Sequence, residues 1–297
     1  MKNRGNFLTP YLFLLPALLV LGLTVFFPAI QAFYLSFTSY DLIQPPQWVG
    51  LKNFEKMLGD RLFWQSFFNT ILYLIGAVPI LVFTPLGLAI LVNQKLRGIN
   101  WFRAVYYLPV VVSMVVAGIA WKWIYAENGF LNQWGSLLWE GVFGKGLNSP
   151  FPIPWLTSPN LALFSVIAVT VWKGLGYYMV IYLAGLQSIP AELYEAAELD
   201  GCGGWRKDWE ITLPLMRPYL VLVGVISAIS ATKVFEEIYI MTQGGPRNSS
   251  KTIVYYLFEK GFEDLEIGYA CSIGLVLFLI ILGLSVWRLG VERSPGL

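Results

Sequence analysis

The spacing of charges constrains this chain more than any other feature. No Asp, Glu, Lys or Arg occurs in 5–40, 62–94, 104–121, 218–232 or 267–287, and 161–186 is interrupted only by Lys173. A helix that crosses a bilayer needs ~20 predominantly apolar residues, and these intervals supply that length together with their flanks. The pattern predicts six transmembrane helices near 11–37, 66–92, 104–125, 161–186, 215–240 and 267–287, with ends placed to ~2–4 residues. Six such crossings use about 120 residues, so the 297-residue chain holds the bundle and loops of ordinary size. Charged residues make up 13% of the sequence, about half the ~25% of a soluble domain. The fold class is therefore read as an all-α membrane protein, with one transmembrane domain over 1–297.

An even number of crossings places both termini on one side, and Lys and Arg decide which side. Segments 1–10, 94–103, 187–217 and 288–297 hold ten of them in 61 residues, against seven in 88 for 38–64, 126–160 and 241–266. Both termini are expected in the cytoplasm. Lys2 and Arg4 ahead of an apolar run resemble a secretory signal, but the charge-free run from Gly5 to Tyr40 exceeds the ~7–15 residues of a signal core and is expected to remain as a span. The Trp-rich stretch 129–143, apolar yet bounded by charges, is expected to lie in the outer membrane interface.

Twenty basic against eighteen acidic residues give a net charge of +2, which argues against a nucleic-acid partner. The absence of histidine removes His metal sites, Ser-His triads and His general bases. Cys202 and Cys271 form no CxxC pair. No catalytic group and no metal ligand set is assigned.

Among the inner segments, 187–217 is the longest and carries a dense acidic pattern of Glu192, Glu195, Glu198, Asp200, Asp208 and Glu210. SIPAELYEAAELDG reads as a short helix with Pro190 in its first turn and Gly201 as its stop. Glu192, Glu195 and Leu199 are expected on one face, with Ala196 and Ala197 leaving the backbone closely approachable. That suits a helix docking into a partner's cleft. The alternative, a helix lying on the membrane surface, sets acidic side chains against an anionic leaflet.

The run EAAELDGCGGWRKDWEITLP at 195–214 resembles the EAA loop of binding-protein-dependent ABC transporter permeases. Glu195, Ala196, Ala197, Asp200, Gly201, Ile211, Leu213 and Pro214 stand at the family's spacing. LAGLQSIPAELYEAA at 183–197, TQGGP at 242–246, WVGLKNF at 48–54 and RAVYYLP at 103–109 resemble the carbohydrate branch, so the likeness covers nearly the whole chain. Cys202 stands where Ala is usual, and Trp209 where Phe is usual.

The resemblance implies a type I ABC importer permease fold in a bacterial or archaeal cytoplasmic (inner) membrane. It implies a second homologous permease subunit, two ABC ATPase subunits that bind ATP and Mg, an extracytoplasmic solute-binding protein, and a sugar or sugar-like osmolyte as substrate. Glu195 then resembles the acidic anchor that pairs with a basic residue of the ATPase, with Ala196, Ala197, Leu213 and Pro214 in the same coupling loop. Asp200 and Gly201 would shape the turn out of the helix. No GxxxxGK[ST] loop occurs, since GKG at 144–146 lacks its upstream Gly and its Ser/Thr, so hydrolysis is expected in another chain.

Within the fourth span Thr170, Lys173, Gly174 and Tyr177 recur at i, i+3, i+4, i+7, and in the fifth Ser227, Ser230 and Ala231 recur at i, i+3, i+4. Two small and polar faces at matching depth suggest a wet path, in which Tyr177 offers a ring and Ser227 and Ser230 offer hydroxyls to a sugar. By resemblance to the maltose-type permease these seven positions line the sugar site, although only Gly174, Tyr177 and Ser227 keep the residue type. Close helix packing is the alternative role for the same small residues.

A charge at mid-span costs ~2.5–3.5 kcal/mol on insertion scales, so each buried lysine needs a partner. Lys233 is expected to pair with Glu236 or Glu237 at i+3 or i+4. Lys173 has no carboxylate within four residues and must pair across helices, snorkel or meet substrate. Lys122 is expected to snorkel. Two further readings stay open: a permease for glycerol phosphate or another non-sugar solute, and an ion-coupled secondary transporter, which normally shows repeats or intramembrane carboxylates.

Overall fold

The computed structural model describes residues 8–94, 97–144 and 149–292. Lys2 and Arg4, on which the sided reading of the N-terminus rests, lie outside them, as do Arg293 and the Lys145 and Gly146 of the rejected phosphate-loop fragment. The elements run α1 (Leu8–Leu21), a π turn (Gly22–Phe26), α2 (Phe27–Leu35), β1 (Thr38–Ser39), β2 (Gln47–Trp48), α3 (Lys52–Gly59), α4 (Arg61–Val92), α5 (Ile99–Val111), α6 (Met114–Ile124), α7 (Phe130–Phe143), α8 (Ala162–Gln187) and α9 (Ala191–Leu199). Next come α10 (Trp205–Lys207), a π turn (Asp208–Thr212), α11 (Leu213–Leu215), α12 (Arg217–Thr232), α13 (Glu236–Met241), α14 (Ile253–Phe258), a π turn (Glu259–Glu263) and α15 (Ile267–Glu292).

Two compact units emerge, 1–61 with 256–297, and 62–255. In the first, α1 and α2 form an apolar helix over Tyr11–Leu35 in which no residue is fully buried, with α2 packed on α15. In lipid that exposure costs nothing, because acyl chains are as apolar as Leu. The polar end of this unit is tied by side chains. Asn53 donates to the Ser36 and Thr38 carbonyls, both at 2.9 Å, holding the β1–β2 hairpin on α3. Asp60 accepts from the hydroxyls of Tyr256 and Tyr269, and Lys56 pairs with Glu266 at 2.7 Å.

The second unit packs α4, α5, α6, α8, α12 and α13 around Tyr73, Val166, Met179, Tyr182, Val223 and Ile238, all buried. Helices inside a bilayer gain little from burying apolar area, so their association rests on close contact through small residues. Gly176 is the clearest case: a Cβ there would stand 2.1 Å from the Tyr106 carbonyl oxygen, so α5 can lie against α8 only because that position has no side chain.

Among the described residues three helices are long and apolar enough to cross a membrane, Tyr11–Leu35, Arg61–Val92 and Ala162–Gln187. The expected third span over 104–125 is corrected to a broken one: α5 and α6 meet at 98°. Pro109 removes a backbone donor near the end of α5, Val112 turns extended, and Ser113 starts α6 as its N-cap, accepting from the Val116 N–H. The expected fifth span over 215–240 is likewise interrupted, α12 ending at Thr232 and α13 beginning at Glu236.

Candidate functional site

All seven intramembrane positions singled out by their spacing border one cavity of about 540 Å³: Thr170, Lys173, Gly174 and Tyr177 from α8, Ser227, Ser230 and Ala231 from α12. Spacing at i, i+3, i+4 sets each group on one helix face, and the packing of α8 against α12 turns the two faces toward the same space. Their exposures differ. Tyr177 is 44% exposed and T-stacked on Tyr178, whereas Ser227 is fully buried and donates its hydroxyl proton to the Gly224 carbonyl at 3.1 Å. Ser227 therefore forms wall here, where a free hydroxyl was expected. Thr170 is joined to the Tyr73 hydroxyl at 2.5 Å.

The sequence reading missed the lining that α4 supplies through Tyr73, Ala77 and Leu81 and that α5 supplies through Val110. The α4 residues stand at i, i+4, i+8, a readable stripe, but they lie in a span apolar all round, which hides its inner face.

The lysines depart from expectation in an informative way. Lys233 makes no ion pair with Glu236 or Glu237 among the described residues, although all three border the cavity. The i+3, i+4 rule holds only on a continuous helix; Lys233 is the C-cap of α12, and the chain turns before α13 begins. Lys173 crosses to another helix, donating to the Val110 carbonyl at 3.4 Å. That carbonyl belongs to the last turn of α5, where the helix has no N–H left to offer and its dipole is negative.

The acidic loop forms the second site. α9 starts at Ala191, so that Pro190, expected in the first turn, is its N-cap. It ends at Asp200, and Gly201 follows at φ +76°, the left-handed conformation that terminates a helix most cheaply with glycine. Glu192, Glu195, Ala196 and Leu199 are exposed, Leu199 to 90%, while Ala197 is buried. The expectation that both alanines offer backbone to a partner is thus corrected: Ala196 faces out, and Ala197 packs within the chain. Glu195 has no hydrogen bond or ion pair among the described residues and borders a cavity of about 670 Å³ with Asn93, Gln94, Tyr194, Glu198 and Lys207. Leu213 lies half-buried and Pro214 exposed in the single turn α11.

Beyond the turn, Arg206 pairs with Glu210 and Lys207 with Glu198, at 2.7 and 2.9 Å. Hydrogen bonding from Arg206 holds the Glu210 carboxyl below its ordinary value, and hydrogen bonding to Glu198 raises Lys207. Among the described residues no cluster of His, Cys, Asp and Glu is able to hold a metal ion.

An apolar helical chain with a cavity between its helices that polar and charged side chains border, and an exposed acidic loop, is built as a membrane transport component. Residues 58–291 match the model of the binding-protein-dependent transport system inner membrane component family, and the chain belongs to that family. It is 36% identical over 288 residues to a probable ABC transporter permease protein YurN of Bacillus subtilis, covering 96% of each chain. It is 32% identical over 300 residues to the sulfoquinovosyl glycerol transport system permease protein SmoG of Agrobacterium fabrum, covering 98% of this chain and 92% of that one. Its fold is similar to a chain of a bacterial ABC transporter involved in import of the acidic polysaccharide alginate, with TM-score 0.82 at 24% identity over 97% of this chain and 96% of that one.

Proposed function

We propose that this chain is the sugar-translocating permease subunit of an ATP-driven importer, crossing the inner membrane six times with both termini in the cytoplasm as one transmembrane domain. The observation that carries the reading is the convergence of the α8 and α12 stripes on one cavity, in a chain whose relatives include a sulfoquinovosyl glycerol transport system permease and whose fold is shared with a chain of an alginate importer. In this reading Thr170, Lys173, Gly174, Tyr177, Ser227, Ser230 and Ala231 border the sugar path, with Tyr177 as the exposed ring against which a pyranose stacks. The broken spans agree with a site of this kind, since irregular backbone is tolerated at membrane depth where it lines a cavity. In this reading α5 with α6, α12 with α13, and α15 are the three crossings beyond the continuous ones.

The loop 187–217 is the coupling element. Glu195, Ala196, Asp200, Gly201 and Leu199 present an exposed helix and turn to an ATPase, while Ala197 seats that helix and Leu213 and Pro214 lead into α12. ATP and Mg belong to two such ATPase subunits; a second, homologous permease and an extracytoplasmic solute-binding protein complete the complex. The test is ligand-dependent ATP hydrolysis by the reconstituted complex over a panel of disaccharides, glycosylated osmolytes and glycerol phosphate. Stimulation by a sugar-loaded binding protein is the expected result; stimulation by glycerol phosphate alone would move the substrate class, and uptake driven by an ion gradient without ATP would overturn the reading.

A further inference from the structure

The coupling helix α9 and the arm that continues into α12 are joined by the turn DGCGG, which carries glycines at 201, 203 and 204. Gly201 and Gly204 take φ of +76° and +59°, and a Cβ built on any of the three meets no atom within 4 Å. A turn with three glycines and open space at each of their Cβ positions has the backbone freedom of a hinge. A push on α9 would bend it instead of reaching α12, unless the two arms are fastened to each other elsewhere.

They are fastened at Thr212 and at Lys207. Thr212, 2% exposed, donates its hydroxyl proton to Asp208 Oδ1 at 3.3 Å, which leaves its oxygen to accept from the Tyr194 hydroxyl at 3.1 Å. Tyr194 lies on α9, and Thr212 closes the π turn that runs into α11. The Lys207 ammonium stands 5.5 Å from the centre of the Tyr194 ring and binds Glu198 of α9 at 2.9 Å, bridging the same gap. Beyond Thr212 the arm Trp205–Leu215 turns by 68° into α12, where Met216 is fully buried and Ser227, Ser230 and Ala231 reach the cavity.

We propose that Tyr194 is a positioning residue that locks the coupling helix to the arm of α12, with Thr212 and Lys207 as its two holds, so that movement of α9 is carried to the cavity wall. The proposal rests on the coupling reading above. It assigns Tyr194 no contact with nucleotide or substrate; its hydroxyl matters because it closes a tie that spans the glycine turn at a buried oxygen.

The experiment uses the complete complex in proteoliposomes, with uptake and ATP hydrolysis measured together. Absence of ligand-stimulated hydrolysis in the unsubstituted complex would count against the coupling reading itself, whereas the variants bear on Tyr194. Tyr194→Phe keeps the ring and removes the hydroxyl; Thr212→Val keeps the shape and removes the acceptor. Each is expected to leave ATP hydrolysis within about twofold and to lower substrate moved per ATP by about fivefold or more, the low end of ordinary coupling energies. Lys207→Arg should retain coupling and Lys207→Met should lose part of it. Unchanged substrate per ATP in both Tyr194→Phe and Thr212→Val would overturn the proposal. So would an equal fall of hydrolysis and uptake, which marks a docking role, or loss of co-purified subunits in Tyr194→Phe, which marks an assembly role.

Discussion

Gly176 and Gly174 sit two residues apart on α8 and differ in what they can tolerate. A methyl group at 176 would meet the Tyr106 backbone oxygen at 2.1 Å, and at 174 the Leu81 Cδ2 atom at 2.8 Å. Backbone cannot turn aside and a leucine tip can. Gly176→Ala is therefore expected to destabilise by about 1–3 kcal/mol or more, and Gly174→Ala by less. Thermal unfolding of the purified complex orders the two variants, with Gly203→Ala, where nothing lies within 4 Å, as the neutral control. On the coupling loop, Gly201→Asp forces a side chain into a left-handed turn at a cost of roughly 1 kcal/mol, and Glu195→Ala removes the exposed carboxylate. Both are expected to insert at normal levels and to lose uptake; normal uptake in both would show that the loop does not couple. Tyr177→Ala is expected to lower uptake while leaving capture by the binding protein unchanged, read by transport and by direct ligand binding.

At the scale of elements, the broken span between α5 and α6 is what the sequence concealed. VYYLPVVVSMVV reads as one apolar run, because proline is commoner in membrane helices than in soluble ones and does not by itself mark a break there. The break is held by groups far away in sequence, Lys173 on the Val110 carbonyl and Gly176 against Tyr106, which periodicity does not reveal. The stripes on α8 and α12 were legible because polar and small residues stand out at helical spacing on an apolar ground. The Lys233 pairing failed for the converse reason, since it assumed a helix that ends at Thr232. Lys173→Met leaves the Val110 carbonyl without its donor. Water entering the cavity takes over part of that bond, so the expected loss is about 1 kcal/mol, partly recovered in Lys173→Arg. Equal thermal stability of Met and wild-type complexes would show that the bond does not hold the break.

For the whole molecule, α1 and α2 present an almost wholly apolar surface, while α9 displays Leu199 and a carboxylate without a partner among the described residues. The first suits lipid or another apolar helix, the second a soluble protein, and together they describe one subunit of a larger assembly. Purification is expected to return a different but homologous permease alongside the ATPase; recovery with only copies of itself would contradict that composition. The central claim is that this chain moves substrate only when another chain's ATP hydrolysis reorients it. Proteoliposomes holding the assembled complex, with ATP inside and sugar-loaded binding protein outside, test it directly. Uptake is expected to stop when the ATPase subunits are omitted or the nucleotide is replaced by a non-hydrolysable analogue. Uptake by this chain alone, without ATP, would contradict the claim.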